Sequence, residues 1–285
     1  MSKIAVIGIA GESVFLTVDG FGKVGETTVA KSYHCELGGK GFNQAVAAAR
    51  YGAEVSFLCA VYSEDVERFS EVSERCGIDA HFVGKEDRSP YAVITTDESG
   101  DNCVCVYRGA VLDVSCVEGF SRQIASADVL LINNEVPTDV NEEAVKIAKA
   151  NGVKVILNPA PAREYKDEFL DSVDLFTPNE HETCGLEKYK NVIVTLGNKG
   201  CLIRSTEEVI PAARSEKVVD TTGAGDTFSG VLAACLAEKM DVREASIRAN
   251  VAAAIKVGRK YILDSIPTRK EIDKYMEEKN GYNIL

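Results

Sequence analysis

Short apolar runs alternate along this chain with alanine-rich or amphipathic stretches that stop at glycine. Residues 3–8 form one apolar run, and a helix over 45–50 stops at Gly52. Residues 54–61 then read as a strand, 63–76 as a helix ending at Gly77, 129–132 as a strand, 140–150 as a helix closed by Gly152, and 153–157 as a strand. Glycine just past a helix supplies its left-handed cap. Strands alternating with helices imply right-handed crossovers, hence an α/β fold whose mostly parallel sheet is covered on both faces. Two stretches depart from this rhythm. Residues 14–35 and 91–107 alternate apolar and polar, with glycine-containing turns at 20–25 and 99–101, and read as hairpins outside the main sheet. The first falls between the opening strand and the first helix, which suggests a small sheet over one edge of the body, placed as a lid. The last third reads as helices over 226–238, 242–257 and 268–279. No repeat or linker divides the 285 residues, so a single domain is expected, with lid strands inserted at about 12–37 and 88–108.

Charge and cysteine content narrow the function. Lysine and arginine number 32 against 44 aspartates and glutamates, a net charge of −12, which disfavours nucleic-acid partners bound through phosphate neutralisation. No stretch approaches the roughly 20 apolar residues of a membrane span, and no exported leader is recognisable, so a cytoplasmic address is expected. Nine cysteines lie scattered without a Cys-x-x-Cys pair. The three histidines, His34, His81 and His181, fall nowhere near ligand spacing of a cysteine pair. Buried reduced thiols, with Cys103 and Cys105 on one strand face, are therefore expected rather than a metal site.

Five stretches bear on chemistry, one of them by exclusion. Gly20 to Gly25 has Gly-x-Gly-x-x-Gly spacing, but the strand-like residues 26–30 follow it where a phosphate-binding loop needs a helix, so it reads as a hairpin turn. Gly38-Gly39-Lys40-Gly41-Phe42-Asn43 opens the alanine helix. Its glycines permit close approach of a ligand, and Lys40 and Asn43 could bind hydroxyls; a tight turn before a helix is the equal alternative. Asp220-Thr221-Thr222-Gly223-Ala224-Gly225-Asp226 precedes another helix. Successive small residues there form an anion-binding nest for a transferred phosphoryl group, and Asp226 is placed to accept a proton from an attacking hydroxyl. A helix-dipole role for Asp226 is the alternative. Thr177-Pro178-Asn179-Glu180-His181-Glu182 reads as a capped helix start. The capping box leaves over Asn179 and Glu182, which could serve phosphate oxygens or a hydrated Mg²⁺. Glu135, closing a strand, lies where open α/β sheets bind ligands, with a solvent-exposed loop glutamate as the commoner alternative.

These stretches, together with Asn158-Pro159-Ala160-Pro161, Thr195-Leu196-Gly197 and Ser265-Ile266-Pro267-Thr268, resemble the ribokinase-like (PfkB) carbohydrate kinase family in order and over almost the whole chain. The resemblance implies a three-layer α/β/α fold with a small β-sheet lid, and an ATP-dependent kinase acting on a primary hydroxyl of a small sugar. It implies Asp226 as general base, Gly223, Ala224 and Gly225 as anion hole, and Gly39, Lys40, Asn43 and Glu135 as ligands of sugar hydroxyls. Asn179, Thr195, Gly197 and Asn250 would serve the nucleotide, Glu182 would hold Mg²⁺ through water, and Asp220 and Thr222 match positions associated with K⁺. A homodimer through the lid is a further implication.

Three departures bear on substrate. Gly11-Glu12-Ser13 stands where ribokinases carry Asn-x-Asp, Tyr261-Ile262 where a Gly-Ala turn is usual, and Val111 where asparagine is typical. Two rivals follow: a nucleoside kinase with Phe15, Phe21 or Tyr107 facing a base, and a non-catalytic sugar-binding or regulatory homologue.

Overall fold

Residues Lys3–Ile7 (β1) send Ile4 and Val6 into one hydrophobic core and Ala5 and Ile7 into a second. A strand buried on both faces shows no polar alternation, hence the apolar run. The computed structural model describes residues 1–98, 102–215 and 217–278. After β1 come β2 (Gly11–Thr17), β3 (Ser32–Gly38), α1 (Lys40–Tyr51), β4 (Glu54–Tyr62), α2 (Val66–Arg75), β5 (Ile78–Lys85), β6 (Tyr91–Thr96) and β7 (Asn102–Tyr107). There follow α3 (Val114–Gly119), α4 (Ser121–Ser126), β8 (Val129–Asn133), α5 (Thr138–Ala150), β9 (Lys154–Asn158), α6 (Asp167–Leu170) and β10 (Leu175–Phe176). The remainder is β11 (Ile193–Thr195), β12 (Cys201–Ile203), β13 (Glu208–Ile210), α7 (Ala224–Ala237), α8 (Val242–Val257) and α9 (Arg269–Glu278).

The central sheet runs β10-β9-β8-β1-β4-β5, every neighbouring pair parallel. Helices α1, α2, α7, α8 and α9 cover one face and α3, α4 and α5 the other, giving three layers. Successive strands leave β1 in opposite directions, so the ends of β1 and β8 flank the crevice where such sheets bind ligands. Helices α1 and α7 meet closely at Gly230, where a Cβ would fall on the Gln44 carbonyl oxygen and 2.7 Å from Ala47 Cβ.

The two stretches that alternate apolar and polar build a separate sheet, β3-β2-β6-β7, antiparallel at its two outer pairs and parallel between β2 and β6. The turn expected at 99–101 and Lys279 lie outside the described residues. Gly20 to Gly25 falls in the loop between β2 and β3 and leads into no helix; β3 begins only at Ser32, past the strand-like 26–30.

Three expectations are corrected. No helix forms at 177–182: Thr177 N continues the sheet by donating to Leu157 O, and the Thr177 hydroxyl, 3.1 Å from Ser229 Oγ, is drawn to α7 instead of capping. All nine cysteines are free, but only Cys59, Cys201 and Cys235 are buried. Cys103 and Cys105 lie exposed on β7, because no further layer covers that edge strand. Finally, the three-stranded antiparallel sheet β11-β12-β13 is additional to the expected layout. Among the described residues no helix is long and apolar enough to cross a membrane.

Candidate active site

Close backbone contacts set α1 against the end of β1. Gly39 has φ 101°, and a Cβ there would come within 2.6 Å of Ile9 O; a Cβ on Gly41 would come equally near Gly8 Cα. Glycine is required at both. With α1 seated this way, Lys40 N donates to Glu135 Oε2 at 3.0 Å, and Asn43 and Gln44 reach α7.

Helix α7 starts from Gly223 in the left-handed region, φ 76°, whose carbonyl accepts from both Thr227 N and Thr227 Oγ1. One turn in lies Asp226, 6% exposed. Asn43 Nδ2 donates to its Oδ2 at 2.9 Å and Gln44 Nε2 to its Oδ1 at 3.3 Å, while Gln44 Nε2 also reaches Asn158 Oδ1 at the end of β9. Two neutral donors fix the carboxylate without a salt bridge and leave it lone pairs for a proton. The Lys40 ammonium has its pKa raised, first by Asp226 and then by Glu135 and Glu182, against the opposing effect of burial. Asn43 Oδ1 and Gln44 Oε1 are buried without a partner among the described residues. Unsatisfied buried acceptors are costly, and a ligand hydroxyl would satisfy Asn43 Oδ1. In the nest, Ala224 N already donates to Thr221 O at 3.2 Å, whereas the Gly223 and Gly225 amides have no backbone acceptor among the described residues.

Glu135 follows β8 at the crevice and faces a cavity of about 300 Å³ walled by Ile9, Arg108, Val111, Leu112 and Val136. Burial pushes its carboxyl up to about 7, opposed by Lys40. The native state thus holds a proton that the unfolded chain, titrating near 4.5, has already lost. Stability contributed at this site falls as pH rises between those values. Glu135→Gln is therefore expected to raise the melting midpoint relative to the parent chain by about 2–4 °C at pH 8, with little gain at pH 5, in paired thermal melts. An equal gain at both pH values contradicts the assignment.

The residues expected at the nucleotide come together in part. Asn179 forms a parallel bridge with Thr195, Asn179 N donates to Glu182 Oε2 at 2.9 Å, and Gly197, φ 58°, opens a short 3₁₀ turn. Asn250 is buried on α8, with Nδ2 3.4 Å from Ile210 O. No group of three or more histidine, cysteine or acidic side chains suits a metal among the described residues. Glu182 is the single carboxylate in this set, and its Oε1 is left without a hydrogen bond among the described residues.

The lid strands bring another carboxylate across from the position of the missing aspartate. The Glu12 carboxylate pairs with Arg68 at 2.5 Å, on the face opposite Ser13. Ser13 is buried and lies across from Glu36 in the β2/β3 register. Glu36 accepts from Ile262 N at 2.7 Å and Leu263 N at 3.2 Å, and burial raises its pKa. Beside it Tyr261, φ 63°, stacks on His34 at 3.6 Å and meets Phe15 edge-on at 5.5 Å. Phe15 is therefore committed to packing against Tyr261, while Phe21 and Tyr107 are 44% and 51% exposed on the lid side of the fold. Val111, where asparagine is typical, supplies apolar wall to the cavity. Sequence reading missed Gln44, Glu36 and Lys256. The last is fully buried on α8, with its ammonium 2.8 Å from Asp220 O; a lysine four residues before an exposed Lys260 gives no signal of burial.

This arrangement joins a buried carboxylate, a glycine nest and a polar cleft at the sheet crevice, and the sequence model of the pfkB family carbohydrate kinases matches residues 1–269. The chain belongs to that family. This pfkB carbohydrate kinase is 35% identical over 300 residues to the ribokinase of Haemophilus influenzae, a match covering 96% of this chain and 98% of that one. Its fold is ribokinase-like. The ribokinase of Thermotoga maritima superposes with a TM-score of 0.86 at 32% identity, covering 97% of this chain and all of the other. Arabidopsis thaliana ribokinase, solved with ribose and ATP, does so with a TM-score of 0.83 at 26% identity, covering 97% and 99%. The chain is thus a ribokinase-like sugar kinase.

Proposed function

We propose that this kinase transfers the γ-phosphate of ATP to a primary hydroxyl of a small sugar, with Asp226 accepting the hydroxyl proton. The observation that carries this is the Asp226 carboxylate, buried at the first turn of α7 and oriented by Asn43 and Gln44. A base so placed activates the oxygen for in-line attack, while positioning and electrostatics supply the remaining acceleration. The Gly223 and Gly225 amides, with Ala224 shaping the turn, would receive the charge arriving on the phosphoryl oxygens. Lys40, whose charge is favoured by Asp226 and Glu135, would donate to a sugar hydroxyl. Gly39 brings backbone close, and Asn43 and Glu135 accept from sugar hydroxyls.

ATP would lie against Thr195, Gly197, Asn179 and Asn250. Glu182 would hold Mg²⁺ through water; when bound, the ion neutralises phosphate charge. Closure of the lid over the sugar would exclude water and suppress ATP hydrolysis. The edge strand β7 exposes Val104, Val106 and Tyr107, apolar groups suited to a homodimer through the lid. The protein is read as a cytoplasmic enzyme acting on small molecules, without nucleic-acid or membrane partners.

A nucleoside kinase is the second reading, favoured by the apolar walls of the cavity beside Glu135, which Ala60, Ala110, Val111 and Leu112 help to form. A non-catalytic sugar-binding homologue would have no need of a buried base. An ATP-consumption screen over pentoses, hexoses and nucleosides separates the three. Turnover highest with a free sugar is expected; turnover confined to nucleosides supports the second reading, and sugar binding without ATP consumption supports the third.

A further inference from the structure

Lys256 needs a physical explanation, because a fully buried lysine is rare and the desolvation of its ammonium is expensive unless compensated. Burial lowers its pKa, and Asp220, Glu36 and Asp226 act in the opposite direction. The ammonium donates to Asp220 O at 2.8 Å and lies 3.9 Å from Asp220 Oδ2. Asp220 is otherwise engaged through both carboxylate oxygens: Oδ1 accepts from Thr222 N at 2.9 Å and Oδ2 from Tyr261 N at 3.1 Å. Val219 N and Asp220 N in turn donate to Val257 O, next to Lys256. The positions matched to a K⁺ site are therefore already supplied with a positive charge and with donors from the chain itself, a donor set that does not fit an added cation.

We infer that the Lys256 ammonium replaces the monovalent cation, holding the Asp220–Gly223 turn so that the nest at the start of α7 is ordered without K⁺. Lys256 is a positioning residue: it touches the turn, not the reacting atoms. The inference rests on the kinase reading for its activity readout, so a second readout is independent of turnover. In cation-exchanged buffer, K⁺ should change kcat/KM of the parent enzyme less than about twofold. Lys256→Ala should lose about tenfold or more, and K⁺ or NH₄⁺, but not Li⁺, should restore most of that loss. In thermal melts K⁺ should raise the midpoint of Lys256→Ala and leave that of the parent chain unmoved. Lys256→Met, closer in volume, serves if the alanine variant does not fold. Strong stimulation of the parent enzyme by K⁺ overturns the inference, as does a loss in both variants that no cation restores. If the parent chain phosphorylates no sugar, the kinase reading fails while the melts still decide the role of Lys256.

Discussion

Asp226→Asn is expected to lower kcat by about 10²–10⁴-fold while leaving nucleotide affinity close to that of the parent enzyme. The substitution keeps the volume of the side chain but removes the proton acceptor. It also puts an NH₂ group where Asn43 Nδ2 or Gln44 Nε2 now donates, since both carboxylate oxygens are engaged by these amides. The loss should therefore fall on kcat, because the nucleotide-side residues Asn179, Thr195 and Gly197 make none of their hydrogen bonds through Asp226. Steady-state kinetics with calorimetric titration of ATP separates the two effects. Near-normal turnover would show that the hydroxyl loses its proton elsewhere, and parallel loss of turnover and ATP binding would point to a structural role.

Gly230→Ala is expected to destabilise the fold by about 1–3 kcal/mol, the usual cost of overpacking a filled core. Helix propensity alone predicts the opposite, a gain of about 1 kcal/mol for alanine over glycine. Packing wins here because the new methyl meets the Gln44 carbonyl and Ala47 Cβ, neither of which can swing aside as the tip of a long side chain could. The effect should extend to catalysis. Moving α1 away from α7 withdraws Asn43 and Gln44 from Asp226, so kcat should fall along with the melting midpoint. Denaturant unfolding combined with kinetics reads both. A neutral or stabilising result would mean that the helices separate without strain and that the alignment of Asp226 does not depend on their close approach.

The layered body was legible in the sequence because its strands are long enough, and apolar enough, to show where the chain is buried on both sides. The short strands β11, β12 and β13, three residues each, fall below any measurable period. The false helix at 177–182 had genuine capping residues, but the Thr177 hydroxyl is drawn to Ser229, fifty-two residues away, a contact no local pattern discloses. The start of α7 was legible because a run of small residues leads straight into an apolar helix. The partners that orient it were not. Gln44 sits in an alanine-rich stretch, Glu36 in an alternating one and Lys256 near a helix end, and none carries a local signal of its partners. Each acquires its role only when distant segments meet: Gln44 with Asp226, Glu36 with the amides of Ile262 and Leu263, and Lys256 with Asp220. The acceptor aspartate missing at the Ser13 position was visible as an absence, whereas the carboxylate across the strand from it required the β2/β3 register.

The most direct measurement is a crystal structure of the enzyme with a sugar substrate and a non-hydrolysable ATP analogue. A primary hydroxyl oxygen should lie within about 3 Å of an Asp226 carboxylate oxygen, in line with the terminal phosphorus, the reach a general base requires. A sugar hydroxyl aligned on the phosphorus but beyond hydrogen-bond reach of Asp226 would contradict the account.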